Sequence, residues 1–487
     1  MRRYVLPRLR DFIFVVVLLS ALVVGARMLN TDSDLGRHLT VGRYILGTGR
    51  IPTQDLFSFT KAGAPRPPYE WLAQVLLALA YRLLGLDGVV ALACLVIALA
   101  FTFVYSDSVH RSGMPMLALF ITAWAAVASS LHWLARPHIF SFVFFALWVA
   151  WLERMRRGER IFVWLFPALM LLWSNTHGAF IFGFLAWVAY LAGWCLDFVH
   201  KQADRSQGVK FVFVGLTSAI ASILTPDLWR NWEAVLSNRS SYVLSRTVET
   251  MPLQLASPGV WPFLAMLAAT VIIILLPRRR IPVAPVFLLA GLAALSIAVV
   301  RNIPFFVIAA APFLSEQLAQ TYSPVGYWQR LEARLVEVDA NLRGFATSAL
   351  AAIVVLGFFA FRDVRLQNPV YGFSSAIFPV DAASWVQAHP QPAGMFNDFN
   401  WGGYLLYRLW PQQKVFIDSQ SDFYGEDLTR QAAEVAAGSP GWQAVLDEHT
   451  VNWMLLPAEA GLADAARQSP SWRLEYQDSL AVILIRK

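Results

Sequence analysis

The stretch Asn30–Trp71, NTDSDLGRHLTVGRYILGTGRIPTQDLFSFTKAGAPRPPYEW, determines how the rest of the chain is interpreted. It is polar, is interrupted by glycine and proline, and lies between strongly apolar segments. Asp32, Asp34, His38 and Glu70 give it a dense set of ionisable groups just after the first apolar run. We therefore interpret it as a long loop at a membrane surface, where ionisable groups are more often functional than in a soluble loop.

The composition is that of an integral membrane protein. Of the 487 residues, 57% are hydrophobic and 15% are charged, and the mean hydropathy is +0.51, which leaves too little polar surface for a soluble protein of this length. The net charge of +7 indicates basic cytoplasmic loops, and we expect no nucleic-acid partner. The basic N-terminus resembles the start of a signal peptide, but no small-residue cleavage site follows, so we predict an uncleaved first span.

The apolar runs predict a polytopic α-helical protein with about eleven spans and a range of 11–13, since a span needs roughly 20 apolar residues. The predicted spans are 12–29, 88–106, 114–131, 138–153, 161–174, 178–199, 209–225, 258–276, 283–300, 303–320 and 344–361. Leu72–Leu84 is also apolar, but it is short and contains Arg82. We predict that it lies in the interface or enters the membrane only part way.

Loop charges predict the orientation of the chain. If the N-terminus is cytoplasmic, the loops on that side are basic, including ERMRRGER at 153–160 and PRRR at 277–280, as the positive-inside rule requires. The opposite, outer side then carries Asn30–Trp71 and the polar junctions near residues 132–138, 174–177, 226–259 and 301–302. The expected location is the bacterial inner membrane, with the C-terminus outside.

The pattern changes after about residue 361. Segments 414–418 (KVFID), 451–456 (VNWMLL) and 481–485 (AVILI) are typical of strands, and Asp381–His389 and Leu428–Ala437 are typical of helices. About 120 residues suffice for one soluble α/β domain. We therefore predict a transmembrane module over 1–361 and an outer α/β domain over 362–487.

Asp32 and Asp34 are the first candidate catalytic residues. Two carboxylates two residues apart can share a divalent cation such as Mg²⁺ or Mn²⁺, or one can act as a general base while the other tunes it. The structural alternative is that Asp32 or Ser33 caps a helix beginning near Leu35. His38 follows on the same helical face and Glu70 ends the loop; the alternative for both is an interfacial position without a chemical role.

Three further outer junctions carry polar residues that could bind a substrate. Arginine binds phosphate through two oxygens at once, although an isolated arginine at this depth can equally contact lipid headgroups. Together with the acidic loop the junctions predict one polar pocket at the membrane face. The candidate substrate-binding residues are His38, Arg136, His138, Asn175, His177, Arg301 and Asn302.

The C-terminal region contains a weaker candidate site. FNDFNWGGYLL at 396–406 predicts a turn whose backbone approaches another group closely. The candidate residues on the acceptor side are Asn397, Asp398, Trp401 and Asp418. The alternative is ordinary turn chemistry in a small α/β domain.

The chain resembles the GT-C superfamily of integral-membrane glycosyltransferases. The similarity lies in the order of parts, namely a first span, a long outer loop that opens with acidic residues, many further spans and an outer C-terminal domain. The segments DSDLGRHL, LARPHIFSF, SNTHGAF and FNDFNWGGYLL also resemble a bacterial group of such proteins. The chain departs from that group at Gly36-Arg37-His38, where W-W-H is common.

The resemblance implies a hexosyl- or pentosyltransferase that uses a polyprenyl-phosphate-linked sugar, with a glycan, lipid or protein as acceptor. It implies that Asp32 or Asp34 is the base, with Asp34 favoured because it lies deeper in the loop, and that Arg136 and Arg301 bind the donor phosphate. The sugar and the stereochemical outcome stay open. The alternatives are a transporter or flippase of a lipid-linked or polar substrate, which would carry repeats and charges within its spans, and a non-catalytic membrane assembly protein.

Overall fold

The structure is a computed structural model that describes residues 6–68, 70–236, 252–276, 281–321, 325–342 and 346–487. The chain is mostly helical. The helices up to residue 236 are α1 (Leu9–Val23), α2 (Gly25–Asn30), α3 (Asp34–Thr48), α4 (Trp71–Ser112), α5 (Pro115–Ser129), α6 (His138–Arg156), α7 (Leu165–Thr176), α8 (Ile181–Val199), α9 (Arg205–Ile223) and α10 (Arg230–Leu236). The next five are α11 (Trp261–Leu275), α12 (Val283–Ala298), α13 (Ile303–Thr321), α14 (Tyr327–Asn341) and α15 (Ala346–Ala360).

Eight helical segments among the described residues are long and apolar enough to cross a membrane, so the chain is a multi-pass membrane protein. They are Trp71–Ser112, Pro115–His132, His138–Arg156, Gly178–Val199, Arg205–Ile223, Pro258–Leu275, Val300–Thr321 and Ala346–Asp363. Each of them overlaps a predicted span. The spans predicted at 12–29, 161–174 and 283–300 correspond to shorter helices, the first of them interrupted at Val24. The total of about eleven spans therefore stays a prediction.

The segment Leu72–Leu84 is the first part of α4, which changes direction at Gly85. Gly85 has φ +57° and ψ −147°, a conformation that residues with a Cβ rarely adopt. Just beyond the kink, the fully buried carboxylate of Asp87 accepts hydrogen bonds from the backbone nitrogens of Val370 at 2.9 Å and Tyr371 at 2.7 Å. The chain that follows α15 is thereby held against α4.

The C-terminal region, residues 362–487, contains a four-stranded sheet with helices around it. Its helices are α16 (Val380–Ala388), α17 (Gly402–Leu409), α18 (Ser421–Ala436), α19 (Trp442–Glu448) and α20 (Gly461–Gln468). Its strands are β1 (Met395–Asn397), β2 (Trp453–Pro457), β3 (Trp472–Gln477) and β4 (Ala481–Arg486), in the order β1-β2-β4-β3. Only the β1–β2 pair is parallel. The strands predicted at 451–456 and 481–485 are present as β2 and β4, and the two predicted helices as α16 and α18.

The strand predicted at 414–418 is wrong, since Val415 makes only an isolated bridge with Ser58. The side chain of Asn397 takes the place of a neighbouring strand. Its Oδ1 accepts from the backbone nitrogen of Phe416 and its Nδ2 donates to the carbonyl of Ile417, both at 2.8 Å. Because a side-chain amide satisfies these buried backbone groups, the segment needs no strand partner.

Three glycines bring the C-terminal region against α3. A Cβ on Gly36 would lie 2.3 Å from the carbonyl oxygen of Gly403, and one on Gly403 would lie 2.2 Å from that of Ser33. A Cβ on Gly402 would lie 2.2 Å from the carbonyl oxygen of Ile417. Only glycine allows backbones to approach this closely. The group that the W-G-G turn was predicted to approach is therefore the start of α3, beside Asp34.

Candidate active site

A cavity of about 650 Å³ lies where the loop Asn30–Trp71, hereafter the acidic loop, meets α6, α8, α13 and the C-terminal region. One side of it is polar and another is apolar. The polar lining residues are Thr31, Asp32, Ser33, Asp34, Arg37, His38, Glu70, His132, Arg136, His138, His177, Arg301, Asn302, Asn400, Ser419, Gln420, Ser421 and Asp422. The aromatic and larger aliphatic lining residues are Phe142, Ile181, Phe182, Val235, Val299, Phe305, Ile377, Phe378, Phe399 and Trp401.

Asp32, Asp34 and Arg136 form the centre of the polar side. Asp34 is the first residue of α3, and its backbone nitrogen donates to Oδ1 of Asp32 at 2.9 Å, so Asp32 also satisfies a free N–H at the helix start. Arg136, in the turn before α6, contacts Oδ2 of Asp32 and places Nη1 3.1 Å from Oδ2 of Asp34. Arg136 is 102 positions from Asp34 in sequence. The two carboxylates and the guanidinium nevertheless share one surface of the cavity.

Arg37 connects Asp34 with the deeper residues of the site. Its Nη2 lies 3.5 Å from Oδ1 of Asp34, and its Nη1 lies 3.9 Å from Oε2 of Glu70. Its Nη1 also donates to Oε1 of Gln420 at 3.2 Å, and its Nε lies 4.0 Å from Oδ1 of Asp418. Arg37 is almost fully buried, so these interactions are screened less than surface ion pairs. It balances the negative charge behind Asp34.

His38 is buried beside Glu70 and is neutral. Its Nδ1 lies 3.3 Å from Nε2 of Gln74 and 3.7 Å from Oε2 of Glu70. Burial lowers the pKa of His38 well below its usual value, and the nearby cation Arg37 lowers it further. The carboxylate of Glu70 would favour the charged ring, but burial has the larger effect. The neutral ring can accept a hydrogen bond from the Gln74 amide.

Two further histidines form a wall opposite Glu70. Nε2 of His177 lies 3.9 Å from Oε1 of Glu70, and its Nδ1 accepts from the hydroxyl of Ser141 at 2.9 Å. Nε2 of His138 donates to the carbonyl of His132 at 2.8 Å. The rings of His138 and His177 are 6.4 Å apart. The wall thus presents imidazole edges to the cavity while its backbone and hydroxyl partners fix the ring orientations.

The side of the cavity away from the acidic loop combines a cation with aromatic rings. Arg301 is exposed and, with Asn302, lines the cavity just before α13 begins. Phe182 and Phe305 stack with their ring centroids 4.2 Å apart, and Phe142 meets Phe305 edge-on at 6.2 Å. An anionic group and an attached apolar chain would find complementary surfaces here.

Four predicted site residues lie outside the cavity lining. Asn175 accepts from Nε1 of Trp71 at 2.8 Å and donates to two backbone carbonyls, so it supports the loop from behind. The side-chain amide of Asn397 bonds to the backbone of Phe416 and Ile417, as described above. Asp398 accepts from the backbone nitrogen of Asn400 at 2.8 Å, and burial raises its pKa. Asp418 is completely buried behind Arg37, and burial raises its pKa too. All ten other predicted residues line the cavity.

Ser419, Gln420 and Ser421 also line the cavity. The sequence predicted the serine- and glutamine-rich loop within 415–424 as an edge that binds the acceptor and faces the cavity, but it did not single out these three residues. The hydroxyl of Ser419 donates to Oδ1 of Asp34. Oε1 of Gln420 accepts from both Arg37 and Arg66, and Arg66 also donates to the buried Asp55 at 2.6 Å. The available signal was the polar run that separates a short apolar segment from a helix at 418–422, but serine and glutamine are common in such loops.

Asp32 and Asp34 face a guanidinium in the structure. Both carboxylates contact Arg136, so a cation already lies between them. Within the described residues no group of three His, Cys, Asp or Glu side chains is placed to hold a metal ion. The metal role of the two aspartates stays a prediction.

The fold is similar to that of two solved structures, which agrees with the fold that the sequence resemblance implied. The oligosaccharyltransferase of Archaeoglobus fulgidus in its apo form has a TM-score of 0.57 at 12% identity, over 92% of this chain and 70% of that one. ArnT from Cupriavidus metallidurans, also apo, has a TM-score of 0.50 at 13% identity, over 96% and 97%.

Comparisons by sequence give no match, either to a family model or to a curated protein. At identities of 12% and 13% the structural similarity establishes the fold and leaves the activity to be argued from the site.

Proposed function

We propose that this protein is a glycosyltransferase that moves a sugar from a polyprenyl-phosphate donor to an acceptor hydroxyl. The observation that carries the proposal is the convergence of Asp32, Asp34, Glu70 and Arg136 on one cavity with a polar and an apolar side. Such a cavity suits a substrate that has a charged, sugar-bearing head and a lipid tail. The GT-C fold supports the same reaction class.

Asp34 acts as the general base. It takes the proton of the acceptor hydroxyl while the oxygen attacks the anomeric carbon of the donor sugar. The bond between that carbon and the phosphate oxygen breaks, and polyprenyl phosphate leaves with the bonding electron pair. Contacts with Arg136 and Arg37 orient the carboxylate of Asp34. Glu70 lies between Arg37 and the two histidines His38 and His177, and it balances the charge of Arg37.

The donor phosphate binds on the side of Arg301 and Asn302. Arg136 was predicted to bind phosphate, but it contacts two carboxylates, so its first role is to hold them together. Arg301 is exposed to the cavity and can stabilise the charge that grows on the leaving phosphate. The wall of His138 and His177 adds hydrogen-bonding groups on the same side.

The lipid and the acceptor enter from different directions. Phe142, Phe182 and Phe305 take the first apolar units of the polyprenyl chain, because they face the cavity from membrane-spanning helices. Phe399 and Trp401 of the C-terminal region line the opposite side and suit stacking against an acceptor, which is a glycan, a lipid or a protein. The donor is a hexosyl or a pentosyl lipid.

The proposed topology follows the loop charges. The N-terminus lies in the cytoplasm of a bacterium, eleven spans cross the inner membrane, and the cavity opens at the outer face. Residues 1–361 form the transmembrane module and residues 362–487 form a domain outside. The basic loops that the positive-inside rule assigns to the cytoplasm support this orientation.

Replacing Asp34 tests the proposal. Purified protein in nanodiscs is incubated with a panel of polyprenyl-phosphate-linked radiolabelled sugars and a membrane extract as acceptor, and released polyprenyl phosphate is measured. Asp34→Ala should lower release about 10²–10⁴-fold, the usual contribution of a general base. Asp381→Ala removes a carboxylate at the start of α16, outside the cavity lining, and serves as the control. Wild-type release rates from the Asp34→Ala protein would refute the assignment.

A further inference from the structure

The base candidate Asp34 receives a hydroxyl from a distant part of the chain. Ser419 lies 385 positions from Asp34 in sequence, and its Oγ donates to Oδ1 of Asp34. The same oxygen faces Nη2 of Arg37 at 3.5 Å, while Oδ2 faces Nη1 of Arg136 at 3.1 Å. Ser419 therefore provides a neutral donor to a carboxylate whose other neighbours are two cations.

Two local features hold Ser419 in this position. The preceding residue, Asp418, is completely buried, and its carboxylate accepts from the backbone nitrogen of Gln420 at 2.8 Å and from the hydroxyl of Tyr424 at 3.2 Å. These bonds fix the turn on which Ser419 lies. On the other side Gly402 packs directly on the backbone of Ile417. The C-terminal region thus fixes the position of the hydroxyl, and Arg37 and Arg66 of the acidic loop bind the neighbouring side chain of Gln420.

The same glycine pair sets the distance between Ser419 and Asp34. Gly402 contacts the segment that carries Ser419, and Gly403 contacts the carbonyl of Ser33, next to Asp34. A short rigid spacer of two glycines therefore separates the donor segment from the helix that begins with Asp34. The Oγ atoms of Ser33 and Ser419 lie 3.5 Å apart, which gives the Ser419 hydroxyl a second acceptor.

We infer that Ser419 is a positioning residue, which orients the Asp34 carboxylate. The inference rests on the proposed function, in which Asp34 takes the acceptor proton. A hydroxyl bonded to one carboxylate oxygen restricts rotation of the carboxylate. Ser419 keeps its own proton throughout, and the acceptor proton stays on Asp34.

Ser419→Ala should lower the rate of polyprenyl phosphate release about tenfold or more at neutral pH, since bonds to charged groups are among the stronger ones. The KM for the donor should change less than about twofold, because the lost bond acts on the base and not on substrate binding. Ser419→Thr, which keeps the hydroxyl, should restore the wild-type rate.

Ser348 provides the matched control. Its hydroxyl donates to Oδ1 of Asp11 at 2.6 Å. Ser348→Ala therefore also removes a hydroxyl that is bonded to a buried aspartate, but this pair lies outside the cavity lining. It should leave the rate of release unchanged. Wild-type release from Ser419→Ala would overturn the inference while leaving the proposed function intact.

A substrate-free measurement separates the two possible failures. The thermal midpoints of wild type, Ser419→Ala, Asp34→Asn and the double variant are compared. The stabilising effect of Ser419 should be smaller in the Asp34→Asn background than in the wild type. If the wild type releases no polyprenyl phosphate from any donor, the proposed function fails. A Ser419 effect that does not depend on Asp34 would overturn the inference.

Discussion

Two clusters of charged residues lie in this protein, and they differ in what their charges face. The cavity cluster, Asp32, Asp34, Arg37, Glu70 and Arg136, borders an open volume of about 650 Å³. Apart from the Asp32–Arg136 contact, its opposite charges are 3.1–3.9 Å apart. The second cluster, hereafter the clamp cluster, joins α4, α6, α8 and α13. Its members are Asp107, Arg111, Glu153, Arg156, Arg157, Tyr190 and Glu316. None of its members lines the cavity.

In the clamp cluster the carboxylates are closely paired. Glu153 is almost fully buried and lies 2.6 Å from Arg156 and 2.8 Å from Arg157, while it also accepts from Tyr190 at 3.0 Å. Arg157 in turn lies 2.5 Å from Glu316. Close pairing of this kind leaves no carboxylate oxygen facing a substrate-sized space. The comparison indicates that buried charge alone does not mark a site, whereas loosely paired charge beside a cavity does.

Removal of Glu153 should show the largest effect on stability. Glu153→Ala leaves the partly buried guanidinium groups of Arg156 and Arg157 without their carboxylate, and the loss of one partner of a buried pair costs up to about 3–5 kcal/mol in the free energy of unfolding. Unfolding in mixed micelles measures this loss, and release of polyprenyl phosphate per folded molecule should stay near wild type. Asp34→Ala should show the reverse pattern.

Glu426 offers a control for that experiment. It forms an exposed ion pair with Arg430 one helical turn away, and exposed pairs of this kind contribute about 0.3–0.5 kcal/mol. Glu426→Ala should therefore change stability little. If Glu153→Ala abolished transfer while the protein kept its stability, the clamp cluster would belong to the chemistry and the contrast between the clusters would fail.

Sequence reasoning predicted every member of the cavity cluster except Arg37, because charge and position act together there. Asp32, Asp34 and Glu70 lie next to predicted spans, and the positive-inside rule placed Arg136 on the same side of the membrane as these residues. The fold class followed from the same pattern of apolar runs and one long polar loop. These are features that local sequence carries directly.

The contribution of the C-terminal region could not be predicted in the same way. Ser419 and Gln420 reach the acidic loop only because Gly402 and Gly403 allow two backbones to touch, and this depends on tertiary packing. The segment 414–418 has the composition of a strand, but the amide of Asn397 satisfies its backbone. Asn175 and Asp418 carry polar groups typical of a site, yet both are buried supports.

Gly403→Ala tests whether the C-terminal region positions the cavity cluster. The added Cβ would meet the carbonyl of Ser33 at 2.2 Å, so α17 must move away from α3. Overpacking of this kind typically costs about 1–3 kcal/mol of stability. The loss of transfer should be larger, since a displacement of about 1 Å at a catalytic group can lower the rate about 10²-fold.

The matched control is Gly357→Ala on α15. No atom lies within 4 Å of a Cβ added there, and alanine is favoured over glycine inside a helix by about 0.5–1 kcal/mol. This variant should be as stable as wild type or slightly more so, with unchanged transfer. Wild-type transfer by Gly403→Ala would show that the C-terminal region is not needed to place Asp34.

The smallest expected effect concerns His38 and the pH dependence of stability. Burial holds the pKa of His38 well below 6.5, its value in an unfolded chain. The unfolded state therefore binds more protons than the folded state below about pH 6.5, and stability should fall as the pH decreases through that value, by at most about 1.4 kcal/mol per pH unit. Glu70, Arg37 and His177 surround the ring and remain in place when only His38 is changed.

The prediction is checked by comparing the thermal midpoint of wild type and His38→Gln between pH 8 and pH 5. The wild type should lose more stability on acidification than the variant. Taking the difference between the two profiles cancels the contribution of Asp418, whose pKa burial raises and whose effect on stability therefore has the opposite sign. His389→Gln replaces an exposed histidine and should leave the wild-type slope unchanged. Equal slopes in wild type and His38→Gln would mean that burial does not lower the pKa of His38, which would contradict the prediction.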